Sequence, residues 1–366
     1  MLVGVNIVVA LCLIGAAGSF AYVRYQLGKV NRVSVPGLHA ASGPMTILIV
    51  GSDTRDLKGP GNAEYGSQAE APGQRSDTIM LARVVPSADK ITLMSVPRDL
   101  WVNIKGIGQS RINAAFNNGP NLLVSTIESQ LHIPINHFVE INFDTFKAIT
   151  DAVGGVKFYF PTPARDLYSN LYVPKAGCVN LTGNQALGFA RSRHYEYEVN
   201  GQWVTQGLSD LARIQRQQAF VKKMLSKAES KFTNPLALNR IVSGITKNLT
   251  VDKGFSSATM LNLAETFRHA NVAGIPTETL PTNNAVIGGA DVLTLQQGPA
   301  QRMIHAFNTL GTAKAHTTAH RSASDHAATH HSASAPTSRT KTAASTTTTT
   351  YLLPGPTPSK SDLAHC

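Results

Sequence analysis

Arginine and aspartate side chains occur together at three places where apolar runs begin or end. They are Asp53 with Arg55, Arg75 with Asp77, and Arg98 with Asp99. A guanidinium can form two parallel hydrogen bonds with a phosphate, and aspartate oxygens are ligands that Mg²⁺ prefers. One such pair would be an ordinary surface ion pair. Three of them favour a site that holds a diphosphate together with Mg²⁺.

A helical pattern at residues 209–228 carries a polar and an apolar part on one face. Arg213 and Gln217 lie one turn apart, and Phe220 continues the same face. A ligand with an anionic head and an apolar tail would suit this face, although a plain amphipathic helix explains it equally well. Arg216 lies off the stripe, so we expect it to face solvent.

The segment FARSRH adds two more arginines to the basic side chains. Arg191 and Arg193 are two residues apart, and an extended backbone would place both on one face. We interpret the following His194 as a surface residue. The net charge of +11 agrees with an anionic partner. Nucleic acid is not expected, because no aromatic residues interleave with the basic ones; wall polymers or lipid head groups are favoured.

The elements that must position these side chains alternate between strand and helix patterns. Runs rich in branched and aromatic residues predict strands at residues 45–50, 78–85, 90–96, 137–143 and 156–160. Helical patterns cover residues 120–132 and 143–153. Apolar strands separated by helices predict an α/β fold of three layers, α/β/α, with a central mixed sheet covered by helices. Ligands of such sheets bind beyond the strand ends, where the Arg–Asp pairs lie.

The N-terminal end differs from the middle part, residues 44–311, which reads as one domain. Residues 2–23 are mostly apolar and uncharged, so residues 1–23 are predicted to form a transmembrane anchor. A cleaved signal peptide is the alternative. Residues 24–43 form a juxtamembrane linker whose basic residues, taken alone, would place this side in the cytoplasm.

The C-terminal end has the composition of a disordered tail. Residues 312–366 consist largely of Ala, Ser, Thr, Pro and His, with few large apolar side chains. Only the segment YLLPGP, residues 351–356, suggests a docking point. Cys178 and Cys366 are the two cysteines outside the N-terminal apolar segment. They could form a disulfide, which would hold this segment near the domain, or stay as two free thiols.

Seven motifs between residues 47 and 228 together resemble one family. They are GSDTR, RSDTIML, SVPRDLWV, RINAAF, DAVGGV, LTGNQALGFARSR and DLARIQRQQ. In this order and spacing they resemble the LytR-CpsA-Psr family of bacterial envelope proteins. The resemblance implies that residues 44–311 form a catalytic domain outside the cytoplasmic membrane, on the cell wall side of a single N-terminal helix. This orientation is opposite to the one that charge alone predicts.

The resemblance also implies an activity and a site. Members transfer a glycopolymer from a polyprenyl diphosphate carrier to peptidoglycan, forming a phosphodiester at the muramic acid 6-hydroxyl and releasing polyprenyl phosphate. Matched by position, Asp53 and Asp77 would hold Mg²⁺ and act in catalysis with Arg75 and Arg98. The residues expected around the diphosphate are Arg75, Arg98, Arg111, Arg191, Arg193, Arg213 and Gln217. Many members have lysine in place of Arg111, which keeps the charge but changes the donor geometry.

We expect direct transfer to the acceptor, because no nucleophile for a covalent intermediate is visible in the sequence. Candidates for a general base are Asp53, Asp99 and Asp210. The lipid is expected in a tunnel between the sheet and the helices. Two other functions are compatible with the residues: an Mg²⁺-dependent polyprenyl diphosphate hydrolase, and a non-enzymatic wall-binding or regulatory membrane protein.

Overall fold

The computed structural model describes residues 21–52, 76–207, 209–229, 239, 241–244, 246, 249–269, 274–312, 353–356 and 366. The strands are β1 Asn31–Val33, β2 Met45–Ser52, β3 Ser76–Val85, β4 Lys90–Val96, β5 Trp101–Ile104, β6 Gly108–Arg111, β7 His137–Ile141, β8 Val156–Phe160, β9 Ala164–Asp166, β10 Leu171–Val173, β11 Gly177–Leu181, β12 Glu196–Val199, β13 Gln202–Thr205, β14 Thr250–Asp252, β15 Thr277–Thr279, β16 Thr282–Ile287 and β17 Ala290–Leu295. The helices are α1 Asn113–Phe116, α2 Pro120–Leu131, α3 Phe143–Ala152, α4 Gly183–Arg191, α5 Ser209–Glu229, α6 Ser257–His269 and α7 Gln297–Thr309.

A seven-stranded mixed sheet with the order β1-β14-β7-β2-β3-β4-β15 forms the centre of the molecule. β2 is parallel to β7 and antiparallel to β3, and β4 is parallel to β15. Both faces of β2 and β3 are apolar, because neighbouring residues such as Ile47 and Leu48 are both buried. Such a sheet must be covered on both sides. The predicted mixed central sheet is therefore confirmed.

Helices cover the sheet on each face. On one side, Phe116 of α1, Ile127 of α2 and Phe307 of α7 pack in one cluster with Leu48 and Leu81. On the other side, α5 and α6 contribute side chains to a cluster around the opposite faces of β2, β3 and β4. Each fully buried Leu or Phe stabilises the fold by roughly 1.5–3 kcal/mol. The layers follow the order predicted from the sequence.

A third apolar cluster lies beside the central sheet. The strand predicted at residues 156–160 is present, but as β8 it pairs with β11 in a separate two-stranded sheet. Phe158 and Phe160 pack there against Phe189 of α4 and Phe220 of α5. The neighbouring antiparallel sheet has the order β10-β9-β12-β13. Together these elements hold α3 and α4 against one end of the central sheet.

Part of the predicted tail lies on the domain. Leu353 is buried in the third cluster, and Cys366 forms a disulfide with Cys178, whose Cα atom is 5.6 Å away. Lys223 Nζ donates a hydrogen bond to the Cys366 carbonyl oxygen at 2.9 Å. Residues 353–356 and Cys366 of the predicted tail are therefore attached to the domain by an apolar side chain and a covalent bond, and of the two alternatives for the cysteines the disulfide is present. The rest of the tail beyond residue 312 lies outside the described residues.

The described chain begins with helical residues 21–27. Almost all of the predicted anchor, residues 1–23, lies outside the described residues. Among the residues that are described, no helix has both the length and the apolar character needed to cross a membrane.

Candidate functional site

A cavity of about 360 Å³ opens where β2 and β3 meet α3, α4 and α5. Its lining is divided between charged and apolar side chains. The polar lining residues include Arg98, Arg191, Arg193, Arg213, Gln217, Asp166 and His194. The apolar lining residues include Ile49, Met80, Phe146, Leu187, Phe220 and Val221. Such a cavity can hold a ligand that is anionic at one end and apolar at the other.

Helix α5 shows how this division arises. Arg213, Gln217 and Phe220 lie on one helix face and all line the cavity. Arg213 is only 3% exposed, and the Gln217 Nε2 atom donates to the Ala190 carbonyl oxygen at 3.1 Å. At 1.5 Å per residue, Arg213 and Phe220 are about 10 Å apart along the axis. The polar-to-apolar gradient predicted for this face is present.

Helix α4 delivers Arg191 at its last turn. The helix starts with a capping box in which the Thr182 and Gln185 side chains each bond the other residue's backbone. At its end, the Arg191 guanidinium carbon lies 4.5 Å from the centre of the Phe143 ring. A cation over an aromatic face is attracted by the ring's quadrupole. This contact holds the guanidinium at the cavity wall.

The turn after α4 is held by Asp166, which sequence reasoning missed. Its buried carboxylate accepts hydrogen bonds from the Ser192 hydroxyl at 2.6 Å and from the backbone N–H groups of Arg193 and His194 at 3.0 and 2.9 Å. The Tyr168 and Ser169 N–H groups also donate to it. Burial raises the pKa of Asp166, but these hydrogen bonds outweigh burial and leave the pKa below its ordinary value.

Asp166 therefore holds the backbone of the turn formed by Ser192, Arg193 and His194. It stays charged and fixes the backbone from which Arg191 and Arg193 project. The only signal in the sequence was an acidic residue in the short segment PARDLY, which is too weak to separate a buried carboxylate from an exposed one.

The prediction that Arg216 faces solvent is wrong. Arg216 is instead fully buried. Its guanidinium donates to the Gln206 side-chain oxygen at 2.7 Å and to the Ser192 carbonyl oxygen, and it lies over the Tyr195 ring. Arg216 and Asp166 thus hold the same turn, because Arg216 donates to the Ser192 carbonyl oxygen and Asp166 accepts from the Ser192 hydroxyl.

The Arg98–Asp99 pair lies at the end of β4, and the two residues have different surroundings. Arg98 lines the cavity. The Asp99 carboxylate lies 3.5 Å from Arg98 Nε and 3.6 Å from Arg111 Nε. Arg111 also donates to the Asp291 carbonyl oxygen at 2.8 Å. Arg111 is not among the described residues that line this cavity, and its contact with a diphosphate stays a prediction.

The remaining predicted residues are only partly described. Asp53 and Arg75 lie outside the described residues. Asp77 belongs to β3, but its side chain is outside the described part, as is that of Asp210 in α5. In the described part of the chain, His, Cys, Asp and Glu residues form no group of three or more that could hold a metal ion. The structure thus gathers Arg98, Arg191, Arg193, Arg213 and Gln217 at one cavity.

Several proteins resemble this chain in sequence. A protein of Corynebacterium glutamicum named "Probable cell wall biosynthesis protein LcpB" is 34% identical over 274 residues, which cover 73% of this chain and 62% of that protein. A Bacillus cereus protein named "Polyisoprenyl-teichoic acid--peptidoglycan teichoic acid transferase TagU" is 32% identical over 62% of this chain and 67% of its own length. The match to the first relative thus spans less than two thirds of it.

Solved structures share the fold. A structure named "LytR-Csp2A-Psr enzyme from Actinomyces oris" superposes with a TM-score of 0.62 at 29% identity, covering 76% of this chain and 96% of that one. A structure named "TagT bound to LI-WTA" has a TM-score of 0.54 at 21% identity, covering 75% and 98%. The second shows a common fold alone.

A family model settles the relationship suggested by the motifs. The model of the LytR_cpsA_psr family matches residues 20–309, which include the whole central sheet and every described side chain of the cavity. The chain belongs to the LytR-CpsA-Psr family.

Proposed function

We propose that this chain transfers a glycopolymer from a polyprenyl diphosphate carrier to peptidoglycan, forming a phosphodiester at the muramic acid 6-hydroxyl. The observation that carries the proposal is the cavity, whose guanidiniums adjoin an apolar interior. A polyprenyl diphosphate has the same division between an anionic head and an apolar tail. The name of the Bacillus cereus relative, a teichoic acid transferase acting on peptidoglycan, supports the same reaction.

The guanidiniums would bind the diphosphate and stabilise its charge. Arg98, Arg191 and Arg213 approach the cavity from the turn after β4, from α4 and from α5, so their donors reach it from separate parts of the fold. In phosphoryl transfer, charge spreads over the oxygens of the phosphorus under attack while the attacking and leaving oxygens lie roughly in line. Fixed donors in a partly dry site stabilise this charge strongly. The leaving group is polyprenyl phosphate.

The apolar interior would receive the first isoprene units of the carrier. Phe146, Phe220 and Val221 line it beside Ile49 and Met80 of the central sheet. Holding the chain there fixes the diphosphate against the arginines, and positioning of this kind can supply a large part of a rate enhancement. This location matches the tunnel expected between the sheet and the helices.

We propose that Asp53 and Asp77 hold Mg²⁺. Ser52 and Thr78, their neighbours in the chain, both line the cavity that the guanidiniums line, which supports the proposal. Two carboxylates beside a diphosphate are a donor set that fits Mg²⁺. When bound, the ion would neutralise negative charge on the diphosphate oxygens.

The described residues offer little for a general base. Asp166 is the one carboxylate among the described lining residues, and its hydrogen bonds and lowered pKa make it a poor proton acceptor. Asp99 is engaged by Arg98 and Arg111. We therefore propose that positioning and charge stabilisation matter more than proton abstraction.

We propose that the domain lies on the cell wall side of the cytoplasmic membrane, held by an anchor within residues 1–23. The Cys178–Cys366 disulfide supports an oxidising compartment. The apolar, uncharged sequence of residues 2–23 supports a single membrane-spanning helix. An anchor there would keep the domain near its lipid substrate.

A transfer assay tests the proposed function. Full-length protein is mixed with Mg²⁺, purified peptidoglycan and a polyprenyl diphosphate whose glycan is labelled, and label is followed into the insoluble wall. We expect covalent incorporation, reduced about 10²-fold by Arg191→Gln, because a donor to the developing charge is lost. Arg268→Gln, an exposed arginine paired with Glu265 on α6, is the control and should act like wild type.

The other outcomes separate the alternatives. Label released into solution at the same rate with and without peptidoglycan would indicate a hydrolase. Binding of the lipid without incorporation or release would indicate a wall-binding or regulatory protein. Either result contradicts the proposed transfer.

A further inference from the structure

The four-stranded sheet β10-β9-β12-β13 packs on the domain with one face of β9 and β10, and its other face carries aromatic and charged side chains. Ala164, Leu171 and Val173 point inward and pack in the third apolar cluster. Antiparallel partners share a face, and the pairs Tyr172–Arg165, Arg165–Glu196 and Glu198–Trp203 lie on the other side. We call Arg165, Tyr172, Glu196, Glu198 and Trp203 the outer face.

The side chains of the outer face contact one another. Arg165 Nε lies 2.6 Å from Glu196 Oε2, and its guanidinium carbon is 4.2 Å from the centre of the Trp203 ring. Tyr172, directly opposite Arg165 in the register, is 61% exposed. The outer face therefore presents the exposed Tyr172 ring and the half-buried Trp203 ring, one face of which the Arg165 guanidinium covers.

The turn after β9 links the outer face to the cavity along the chain. Asp166 ends β9 one residue after Arg165, and its carboxylate fixes the turn that carries Tyr168. Tyr168 is 81% exposed, lies with its ring 4.6 Å from that of His194, and lines the cavity. A ligand on the outer face would thus reach the mouth of the cavity.

The chemistry of the outer face suits a saccharide chain of low charge. Sugar rings have apolar C–H faces, which stack on aromatic rings, and hydroxyl edges, which bond to carboxylates and guanidiniums. Exposed aromatic groups with a polar edge are typical of binding surfaces. The outer face holds one arginine and two glutamates, a local charge of −1 in a chain of net charge +11. The outer face therefore gives a polyanionic polymer no net local attraction.

We propose that the outer face binds the glycan strand of peptidoglycan and leads it to the cavity as the acceptor. The assignment to peptidoglycan rests on the proposed function, in which peptidoglycan is the acceptor and the lipid-linked polymer is the donor. Tyr172 and Trp203 would stack on sugar rings, and Glu196 and Glu198 would accept hydrogen bonds from hydroxyls. These residues position the acceptor and take no part in phosphoryl transfer.

A sedimentation assay tests binding without requiring transfer. Full-length protein in detergent micelles is incubated with purified peptidoglycan freed of attached polymers by acid, and the protein in the pellet is measured. Tyr172→Ala combined with Trp203→Ala should weaken binding about tenfold, because two stacking contacts are lost. Tyr25→Ala removes a tyrosine of similar exposure, 63% against 61%, outside this face and should bind like wild type. Unfolding temperatures show whether each variant is folded.

Several results would overturn the inference. Three results for the folded double variant would each contradict it: pelleting like wild type, an equal loss of affinity for the polymer released by acid, or a change only in the oligomeric state measured by sedimentation velocity. In the transfer assay, the double variant should raise the KM for peptidoglycan while kcat and the KM for the lipid donor stay unchanged. A raised donor KM would assign the outer face to the donor glycan and contradict the proposal.

The two proposals fail separately. If wild type shows no transfer but the double variant still binds peptidoglycan more weakly than Tyr25→Ala, the outer face is supported and the proposed function is wrong. If wild type transfers label while all variants pellet equally, the outer-face inference alone is wrong.

Discussion

The charged side chains around the turn after α4 have two different tasks. Arg191, Arg193 and Arg213 line the cavity, whereas Asp166 and Arg216 hold the backbone behind them. Charge at the cavity is useful only when this backbone is fixed, because a donor must keep its direction as the transition state forms. The two tasks predict different effects of substitution.

Replacing Asp166 with asparagine should destabilise the fold. The five donors that meet the carboxylate would face one acceptor oxygen and an amide group with its own hydrogens. We expect a loss of about 2–3 kcal/mol in the free energy of unfolding at neutral pH. Asp144→Asn, which changes a side chain that is 57% exposed, is the control and should cost little.

The stability lost in Asp166→Asn should be smaller at low pH. The pKa of Asp166 is lower in the folded chain than its ordinary value of about 4. Its stabilisation is therefore complete above that value and is lost as the pH falls towards the folded pKa. Denaturant unfolding at about pH 7 and about pH 3 should show the gap between wild type and Asp166→Asn shrinking in acid. A constant gap would contradict the assigned charge.

Substitutions of Arg193 and Arg216 compare an arginine that lines the cavity with an arginine that supports the backbone. Arg216→Gln should lower the free energy of unfolding by about 3 kcal/mol, because buried charge-assisted hydrogen bonds are lost. Arg193→Gln changes an exposed side chain and should alter stability by less than about 0.5 kcal/mol. Its effect should appear in the transfer rate. Equal stability losses in the two variants would contradict the division between binding and support.

Sequence reasoning found the binding side chains better than the supporting ones. Arg191, Arg213 and Gln217 could be named because long motifs of a known family contain them. Asp166 and Arg216 could not, because burial of a charged side chain depends on partners from other elements, such as Ser192 and Gln206. The hydrogen bond from Arg111 to the Asp291 carbonyl oxygen was equally invisible in the sequence, because it depends on β17.

At the scale of elements, close contact between α4 and the turn before β10 sets the position of Arg191. A Cβ atom on Gly188 would lie 2.8 Å from the Ser169 carbonyl oxygen, so α4 can approach this turn only with glycine there. Alanine is normally favoured over glycine inside a helix by about 0.5–1 kcal/mol. At residue 188 the close contact with the Ser169 backbone should reverse this preference, so that glycine is more stable than alanine.

Gly188→Ala should therefore destabilise the protein by about 1–3 kcal/mol and reduce transfer, because α4 must shift. Gly207→Ala is the control, since nothing lies within 4 Å of its added Cβ. Thermal unfolding and the transfer assay measure the two effects. A Gly188→Ala variant that is more stable than wild type would show that the turn yields easily and would contradict the contact argument.

Long apolar elements were predictable, and short polar ones were not. β2, β3, β4 and β7 follow from runs of branched residues, because a sheet covered on both faces needs apolar side chains throughout. β12 and β13 have only four residues each, EYEV and QWVT, and their pairing depends on contacts with β9. The edge strands β1 and β15 of the central sheet are likewise only three residues long.

For the whole molecule, the Cys178–Cys366 disulfide joins residues 188 positions apart. It closes a loop that contains α4, α5 and α6, and it holds the C-terminal residues beside Lys223. A cross-link of this kind restricts the unfolded chain more as the loop grows. The disulfide therefore contributes to the stability of the domain as well as to the position of Leu353.

Replacing both cysteines by serine should lower the free energy of unfolding by about 2–5 kcal/mol. Wild type treated with a reductant should unfold at the same lowered temperature as Cys178→Ser/Cys366→Ser, and the double variant should not respond to the reductant. A reductant that leaves wild-type unfolding unchanged would indicate that the bond is absent in solution.

The central claim is that one cavity binds the diphosphate with arginines and the prenyl chain with apolar side chains. A crystal structure of the protein with a bound prenyl diphosphate tests it most directly. We predict phosphate oxygens within hydrogen-bonding distance of the Arg98, Arg191 and Arg213 guanidiniums, with the prenyl chain between Phe146 and Phe220. A diphosphate bound away from these arginines, or a prenyl chain outside the cavity, would contradict the account.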